Sequence, residues 1–408
     1  MKRPDPRRTA YLLIACLDAL GTGMFLPVSV IFFIQARGLS AVAVGTTLSI
    51  ASLIGLGLAP VGALLIDRWR PAPVLIVNYA AKALVYTVYL FVSSPVEFFL
   101  AAMVARIVSH WAQPVHLMLS SMIAEPGRRV RLLATSRALR NIAMSAGSGI
   151  AALALLLDPK DGAALVVANA ASYLIAAALA FAYLPRMAAV SASSPDGQPG
   201  TTSWSDVLLR SPAYLRATGA AFLLTLQTPL LVVAFPLTVS AVTDLGGTLT
   251  AIALAVNTVA VALLQVPFSR GSEDAQGAAV ALRWGAAALI GCCVPMAFVG
   301  GGTSFMVLCG LALGFVVLNT VAELWISAGS WGVALAMAPE GSSRHLTFYS
   351  SAESLGSAVG AGVTAIVLDS LGPGGWWLFG ATALVAAGLT LTLKQKPGPV
   401  PAAVGAAS

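Results

Sequence analysis

Long apolar runs alternate with short polar connections along the whole chain. Each run reaches about 20 residues or more, the length that an α-helix needs to cross a bilayer, and glycine, proline or charged residues separate the runs. The pattern predicts twelve membrane-spanning helices. The expected spans are 9–36, 40–66, 71–93, 96–122, 132–157 and 162–185, followed by 213–241, 246–269, 277–300, 304–337, 345–370 and 374–394.

The stretch between the sixth and seventh spans has a different composition. Residues 186–210 are rich in Ser, Pro and Gly, and such a segment cannot build a core, so it is predicted to be a flexible linker. The linker divides the chain into a six-helix bundle of residues 1–185 and a second of residues 211–408, which ends in a short tail.

A weak internal repeat supports two related halves. Asp18 precedes Pro27 by nine residues in the first span, and Gln227 precedes Pro236 by nine in the seventh. Internal repeats of this kind are typical of transporters whose site lies between two halves near mid-membrane. We therefore predict an all-α integral membrane protein of two pseudo-symmetric six-helix bundles.

Composition and charge agree with a membrane protein and set its orientation. With 58% hydrophobic and 10% charged residues, the chain is not a soluble globule. Its net charge of +7 does not indicate a nucleic-acid binder, because the basic residues stand between spans. If the N-terminus is cytoplasmic, 19 of the 23 Lys and Arg fall on inner loops or inner span ends, Arg137 and Arg140 among them. This asymmetry predicts a multi-pass protein of the cell membrane with both termini in the cytoplasm.

A few charged residues lie inside the predicted spans. Asp18, Lys82 and Arg106 fall at similar depth, and because an unpaired buried charge costs several kcal/mol, some of them are expected to pair. Asp18, Arg106 and Glu323, the deepest carboxylate of the second half, are the candidate proton-coupling residues. Glu353 is interpreted as a helix-end or gate charge, and Lys82 as a snorkelling or structurally paired residue.

Polar residues at helical spacing indicate a cavity in the bundle. His110 and Gln113 follow Arg106 by four and seven residues, which places the three on one face of the fourth span. A structural hydrogen bond between helices accounts for His110 as well as a protonation role does. Because few of these residues are charged, the pocket argues against a highly charged substrate. The predicted cavity residues are His110, Gln113, Asn141, Gln227, Asn257 and Asn319.

The first span carries a motif that a known family shares. The pattern Asp18-Ala-x-Gly21-x-Gly23-x-x-x-Pro27 resembles the first helix of the major facilitator superfamily, most closely that of its tetracycline/proton antiporter branch. The superfamily often has an arginine where Arg106 lies, in a motif associated with proton coupling. The resemblance implies the major facilitator fold and proton-coupled transport.

The loop after the second span resembles the loop signature of the same superfamily. Leu65, Asp67 and Arg68 match that signature, whereas Arg70 stands at the place of a glycine. In the family this Asp holds the inward gate, so the resemblance implies gating by Asp67 with Arg68 or Arg70 as partners.

The predicted function is secondary active transport by alternating access, with proton entry driving export of an amphipathic small molecule. We expect a monomer in the lipid bilayer that binds its substrate and protons, is not an enzyme and needs no cofactor or metal. Two alternatives remain in the same fold, an importer or facilitator of a polar metabolite and a transporter-like membrane sensor. The Gly-Pro element of the family's antiporters is Gly147-Ser148 here, which weakens the case for antiport.

The linker and the topology can be tested together. Protease added to inside-out vesicles should cut the chain between Arg186 and Arg210, because this polar segment follows an even number of spans. Fragment masses locate the cut. Cleavage in right-side-out vesicles alone would contradict the predicted orientation.

Overall fold

The computed structural model of the 408-residue chain describes a helical protein, and its described residues contain no β-strand. Of the predicted linker only Val207 is described, and the tail beyond Leu391 also lies outside the described residues, so both stay predictions. The described residues are 5–33, 37–125, 127–157, 162–184, 207, 211–339 and 342–391.

The first half builds six spans from seven helices in its described part. Proline begins several of them, since the first turn of a helix needs no backbone N–H donor, and the Ser94 hydroxyl caps α5 by accepting from the Glu97 N–H at 3.2 Å. The second span is bent by 47° between α2 and α3 at Leu58. The helices are α1 Pro6–Ile31, α2 Ala41–Gly57, α3 Ala59–Trp69, α4 Pro71–Tyr89, α5 Pro95–Ile123, α6 Arg129–Leu157 and α7 Ala163–Tyr183.

The second half repeats this plan. Its first span is broken after Leu224 and contains a π-helical turn, Leu230–Ala234, between Pro229 and Pro236, whose missing N–H donors disturb the helical ladder. The helices are α8 Pro212–Leu224, α9 Gln227–Pro229, α10 Phe235–Ser240, α11 Gly246–Phe268, α12 Ala275–Ala297, α13 Phe305–Met337, α14 Ser343–Leu371 and α15 Gly375–Leu391.

Helix neighbours are the same in the two halves. In the first half α1 packs on α6 and α7, α4 on α7, and α2 on α5. In the second half α8 packs on α14 and α15, α12 on α15, and α11 on α13, which are the corresponding pairs. The predicted fold of two pseudo-symmetric six-helix bundles is therefore confirmed.

Apolar length alone does not identify every span. Six described helical segments are long and apolar enough to cross a membrane, or seven if α2 and α3 form one bent span. The helices α1, α5 and α6 do not qualify. Each of them contains charged residues that, as shown below, lie at the centre of the protein.

The first half has a split core. We call the end of the bundle at which α1 begins the proximal end, which corresponds to the predicted cytoplasmic side, and the other the distal end. One apolar cluster, around Tyr11 and Leu75, lies proximally and another, around Phe33 and Phe98, lies distally. A polar layer that contains Asp18 separates them. The second half has one continuous core, which Leu117 and Leu133 of the first half join.

Close backbone contact between α1 and α6 fixes the position of this polar layer. A Cβ atom added at Gly23 would overlap the carbonyl oxygen of Met144, and one added at Gly147 would overlap that of Leu20. Glycine at both positions lets the helices approach closely, as small residues commonly do between membrane helices. The approach brings Arg140 of α6 within reach of Asp18 on α1.

Two glycines of α6 provide a test of this contact. Gly147→Val should lower the free energy of unfolding by about 1–3 kcal/mol, the usual effect of overpacking, and thermal unfolding of the detergent-purified protein measures it. Gly149→Val is the matched control, because a Cβ at Gly149 has no neighbour within 4 Å. Equal melting temperatures for the two variants would contradict the close α1–α6 contact.

Candidate functional site: a charged cavity between the two halves

A cavity of about 960 Å³ lies between the two bundles. Its wall is formed by α1, α2, α4, α5, α6 and α7 of the first half and by α8, α9, α13 and α14 of the second. The sequence predicted few charges here, and that expectation is wrong because two arginines of α6 turn inward. The charged lining residues are Asp18, Lys82, Arg106, Arg137, Arg140 and Glu353.

Asp18 is held between two cations on different helices. Its residue surface is 5% exposed; one carboxylate oxygen lies 3.4 Å from Lys82 Nζ, and the other accepts a hydrogen bond from Arg140. Lys82 also lies over the rings of Tyr79 and Tyr173, at 5.5 and 5.2 Å from their centroids. Lys82 therefore pairs structurally, one of the two roles expected for it, and the charge at Asp18 is compensated twice.

The second arginine of α6 reaches into the opposite half. Arg137 donates to the carboxylate of Glu323 and to the hydroxyl of Ser327, and its guanidinium lies 5.8 Å from the centre of the Trp331 ring. All three partners belong to α13. Arg137 and Arg140 were interpreted as topology charges; that was wrong, since α6 begins at Arg129 and both lie well inside it.

Glu323 is the centre of a network built from residues that the sequence singled out. Its Oε2 atom accepts from Asn257 Nδ2 at 2.9 Å and from Gln227 Nε2 at 3.2 Å. Gln227 Nε2 also donates to Asn319 Oδ1 at 2.9 Å. Gln227 lines the cavity, whereas Asn257, Asn319 and Glu323 lie behind the wall. The carboxylate is thus hydrogen-bonded on both oxygens, as a buried charge requires.

The wall that α5 contributes differs from the predicted stripe. Arg106 and Gln113 line the cavity, but the ring of His110 lies against α2, 2.9 Å from where a Cβ of Gly55 would be. The residue that reaches the cavity is His116, whose ring packs edge-on against Tyr11 at 5.7 Å. Viewed along the helix axis, His110 lies about 40° to one side of Arg106. The cavity wall continues on the other side, through Ser109 and Gln113.

Two further polar residues depart from their expected places. Asn141, next to Arg140, is half-buried and is not among the described residues that line the cavity. Glu353 lies ten residues into α14 and lines the cavity, which corrects its interpretation as a helix-end charge. Among the described residues, no group of three His, Cys, Asp or Glu side chains is arranged to hold a metal ion.

Two carboxylates tie the halves together at the proximal end. Asp67 at the end of α3 accepts from the Ser343 hydroxyl and lies 3.5 Å from Arg344 Nε, at the start of α14. Glu273, between α11 and α12, accepts from the backbone N–H groups of Val130 and Arg131 at 3.0 Å each, at the start of α6. Helix N-termini favour negative charge, so each carboxylate stabilises a helix start of the other half.

The loop that carries Asp67 turns sharply at Arg70. Arg68 is exposed, and Arg70 has a φ of 69°, in the left-handed region that favours glycine. Arg70 stands where the signature has a glycine. The turn between α3 and α4 thus places an arginine in a conformation that favours glycine.

Two helical bundles around a central charged cavity define a multi-pass membrane transporter. The sequence model of the Major Facilitator Superfamily matches residues 11–339, and the chain belongs to this family. No curated protein matches the chain.

Solved structures share the fold at low sequence identity. A bacterial homologue of the iron transporter ferroportin, in an outward-facing state, is 14% identical with a TM-score of 0.73, covering 95% of this chain and 99% of its own. The Escherichia coli fucose:proton symporter FucP is 12% identical with a TM-score of 0.68, covering 95% and 98%. The human organic anion transporter MFSD10 (TETRAN) is 17% identical with a TM-score of 0.65, covering 95% and 100%.

The contact of Glu273 with α6 can be tested by accessibility. Ser136 is 5% exposed and lines the cavity, so a cysteine introduced there by Ser136→Cys should react slowly with a charged maleimide applied to inside-out vesicles. Adding Glu273→Gln should raise the labelling rate roughly fivefold or more, because a charged helix cap contributes about 1 kcal/mol.

The matched control for this variant is Glu125→Gln. Glu125 also lies at the proximal end, but it forms an exposed pair with Arg128 within one loop, and such pairs contribute little. The same labelling rate in the Glu273 and Glu125 variants would contradict a closing role for Glu273.

Proposed function

We propose that this protein exports an amphipathic small molecule by alternating access and that entering protons drive the export. The bundles of residues 1–185 and 211–408 are the two moving bodies of a monomer. The protein lies in the cell membrane with both termini in the cytoplasm, so its proximal end faces inward. It requires no cofactor.

The observation that carries this proposal is the ion pair between the halves, Arg137 with Glu323. Opening the cavity towards the proximal end separates α6 from α13 and breaks this pair. A carboxylate that loses its cation in a poorly hydrated site favours its protonated form. Protonation of Glu323 therefore stabilises the inward-open state and deprotonation the outward-open state, which is the unequal affinity that coupling requires.

Asp18 is the second carboxylate of the proposed coupling site. It faces the cavity and binds Arg140, which lies three residues after Arg137 on the same helix. A proton that reaches Asp18 from the cavity releases Arg140 from it. Both proposed proton sites thus act on α6, and this helix is the element that converts protonation into movement of the halves.

The conformation of the cavity supports an outward-open state under this orientation. The lining extends distally to Phe33 and Val44, while at the proximal end Leu117 and Leu133 join the core of the second half. The two carboxylate contacts of Asp67 and Glu273 reinforce that closed end. The proposed gating set of Asp67, Arg68 and Arg70 is extended here by Glu273.

The walls of the cavity support an amphipathic substrate. Aromatic side chains of α1 and α4 form a continuous apolar surface, with Tyr86 edge-on against Phe25 at 4.8 Å and Tyr89 against Phe33 at 4.9 Å. Charged groups occupy the remaining wall. Export rather than import rests on the likeness of the first helix to that of antiporters.

Replacing Asp18 tests the proton coupling. Asp18→Asn keeps the size of the side chain and removes its titration, so proteoliposomes with an imposed pH gradient should no longer accumulate substrate, while downhill exchange partly persists. The measurement uses three amphipathic compounds with the same ring system: naphthylacetate, naphthylacetamide and the naphthylmethyl trimethylammonium ion. The expected accumulation ratio of the variant is about one, because uncoupled transport only equilibrates the substrate.

Asp244→Asn serves as the matched control, since Asp244 is exposed in the distal loop between α10 and α11. It should accumulate substrate like the unmodified protein. Full accumulation by Asp18→Asn would contradict a proton site at Asp18 and move it to Glu323. Transport by the unmodified protein that ignores the pH gradient would contradict proton coupling altogether.

A further inference from the structure

Among the described residues, Arg106 is the cavity-lining cation that forms no ion pair. Lys82 and Arg140 both pair with Asp18, and Arg137 pairs with Glu323. Arg106 is exposed and lines the cavity, and within the described residues it has no carboxylate within ion-pair distance. Its role thus differs from that of the arginines of α6, which are engaged by protein carboxylates.

Aromatic side chains share the cavity wall with Arg106. It lies eleven residues into α5, which begins at the distal end, and shares the cavity wall with Phe25, Phe33, Tyr86 and Tyr89. Three of these rings are less than 10% exposed, and neighbouring rings contact each other edge-on. Both lining carboxylates, Asp18 and Glu353, belong to other helices.

We propose that Arg106 binds the acidic group of the substrate and that the substrate is an organic carboxylate with an aromatic or aliphatic body. This inference deepens the proposed function by naming the substrate class. A guanidinium presents two parallel N–H donors that match a carboxylate, which makes arginine a geometric as well as an electrostatic recognition element. The aromatic wall beside it receives the apolar body of the same molecule.

Charge compensation also links binding to closure of the cavity. Occlusion of the cavity removes Arg106 from bulk water, and a buried charge needs a partner. A bound carboxylate supplies the missing counter-ion. The substrate therefore completes the electrostatics of the cavity, which stabilises the loaded occluded state through which export passes.

Binding to the purified full-length protein in detergent tests the proposal without requiring transport. The probes are naphthylacetate, naphthylacetamide and the naphthylmethyl trimethylammonium ion, which share one ring system and differ in charge. We expect the acid to bind about ten- to a hundred-fold more tightly than the amide, the range expected for hydrogen bonds to a charged group. Arg106→Gln should abolish this preference and leave the amide unchanged, while Arg106→Lys should retain part of it.

Arg283→Gln is the matched control, because it removes a cation from α12 that does not line the cavity. It should keep the full preference for the acid. Equal affinity of the unmodified protein for acid and amide, tighter binding of the quaternary amine, an unchanged preference in Arg106→Gln, or no binding of the acid would each overturn the proposal. Size-exclusion profiles check that the variants are folded. We expect them to fold, because Arg106 is exposed.

Transport assays separate this inference from the proposed function. If the acid binds through Arg106 but proteoliposomes do not move it, the substrate site stands and the transport proposal fails. If a pH gradient drives transport of the amide or the amine, and Arg106→Gln does not affect it, proton-driven transport stands and the carboxylate site is wrong.

Discussion

The arrangement of this protein depends on the need to compensate charges that lie far from bulk water. Asp18 and Glu323 each require a cation, and α6 provides one for each from positions three residues apart. Since one arginine bonds within its own half and the other across to α13, the same requirement holds the first bundle together and joins it to the second. The close packing of glycines on α1 and α6, the split core and the position of the cavity all follow from placing this helix beside both carboxylates.

The alternation of apolar runs with Gly, Pro and charged breaks predicted the fold. Twelve apolar runs, a polar linker and a repeated spacing predicted the two-bundle architecture, because lipid leaves a spanning chain few alternatives to the helix. The sequence singled out Gln227, Asn257 and Asn319 as cavity residues and Glu323 as a coupling residue. The structure joins the four by hydrogen bonds, although only Gln227 reaches the cavity. Their rarity in apolar runs was the signal.

The parts that the sequence did not reveal depend on side-chain direction and on contacts between distant segments. Arg137 and Arg140 lie near the predicted start of a span, where a topology charge and a cavity charge look alike. His110 and His116 are six residues apart, which places their side chains about 120° apart around the helix axis, and this angle decides whether a ring faces α2 or the cavity. Glu273 follows the eighth span as Asp67 follows the second, and the internal repeat could have indicated it.

The helix α6 is attached to the opposite half at two depths, by Glu273 at its exposed N-terminus and by Glu323 further inside. Salt screens charges near the surface and scarcely affects those in a poorly hydrated interior. Ionic strength on the proximal side therefore weakens the outer attachment and leaves the inner one intact. The two attachments can open in sequence. The carrier then has an intermediate in which Glu273 has left the start of α6 while Arg137 still binds Glu323.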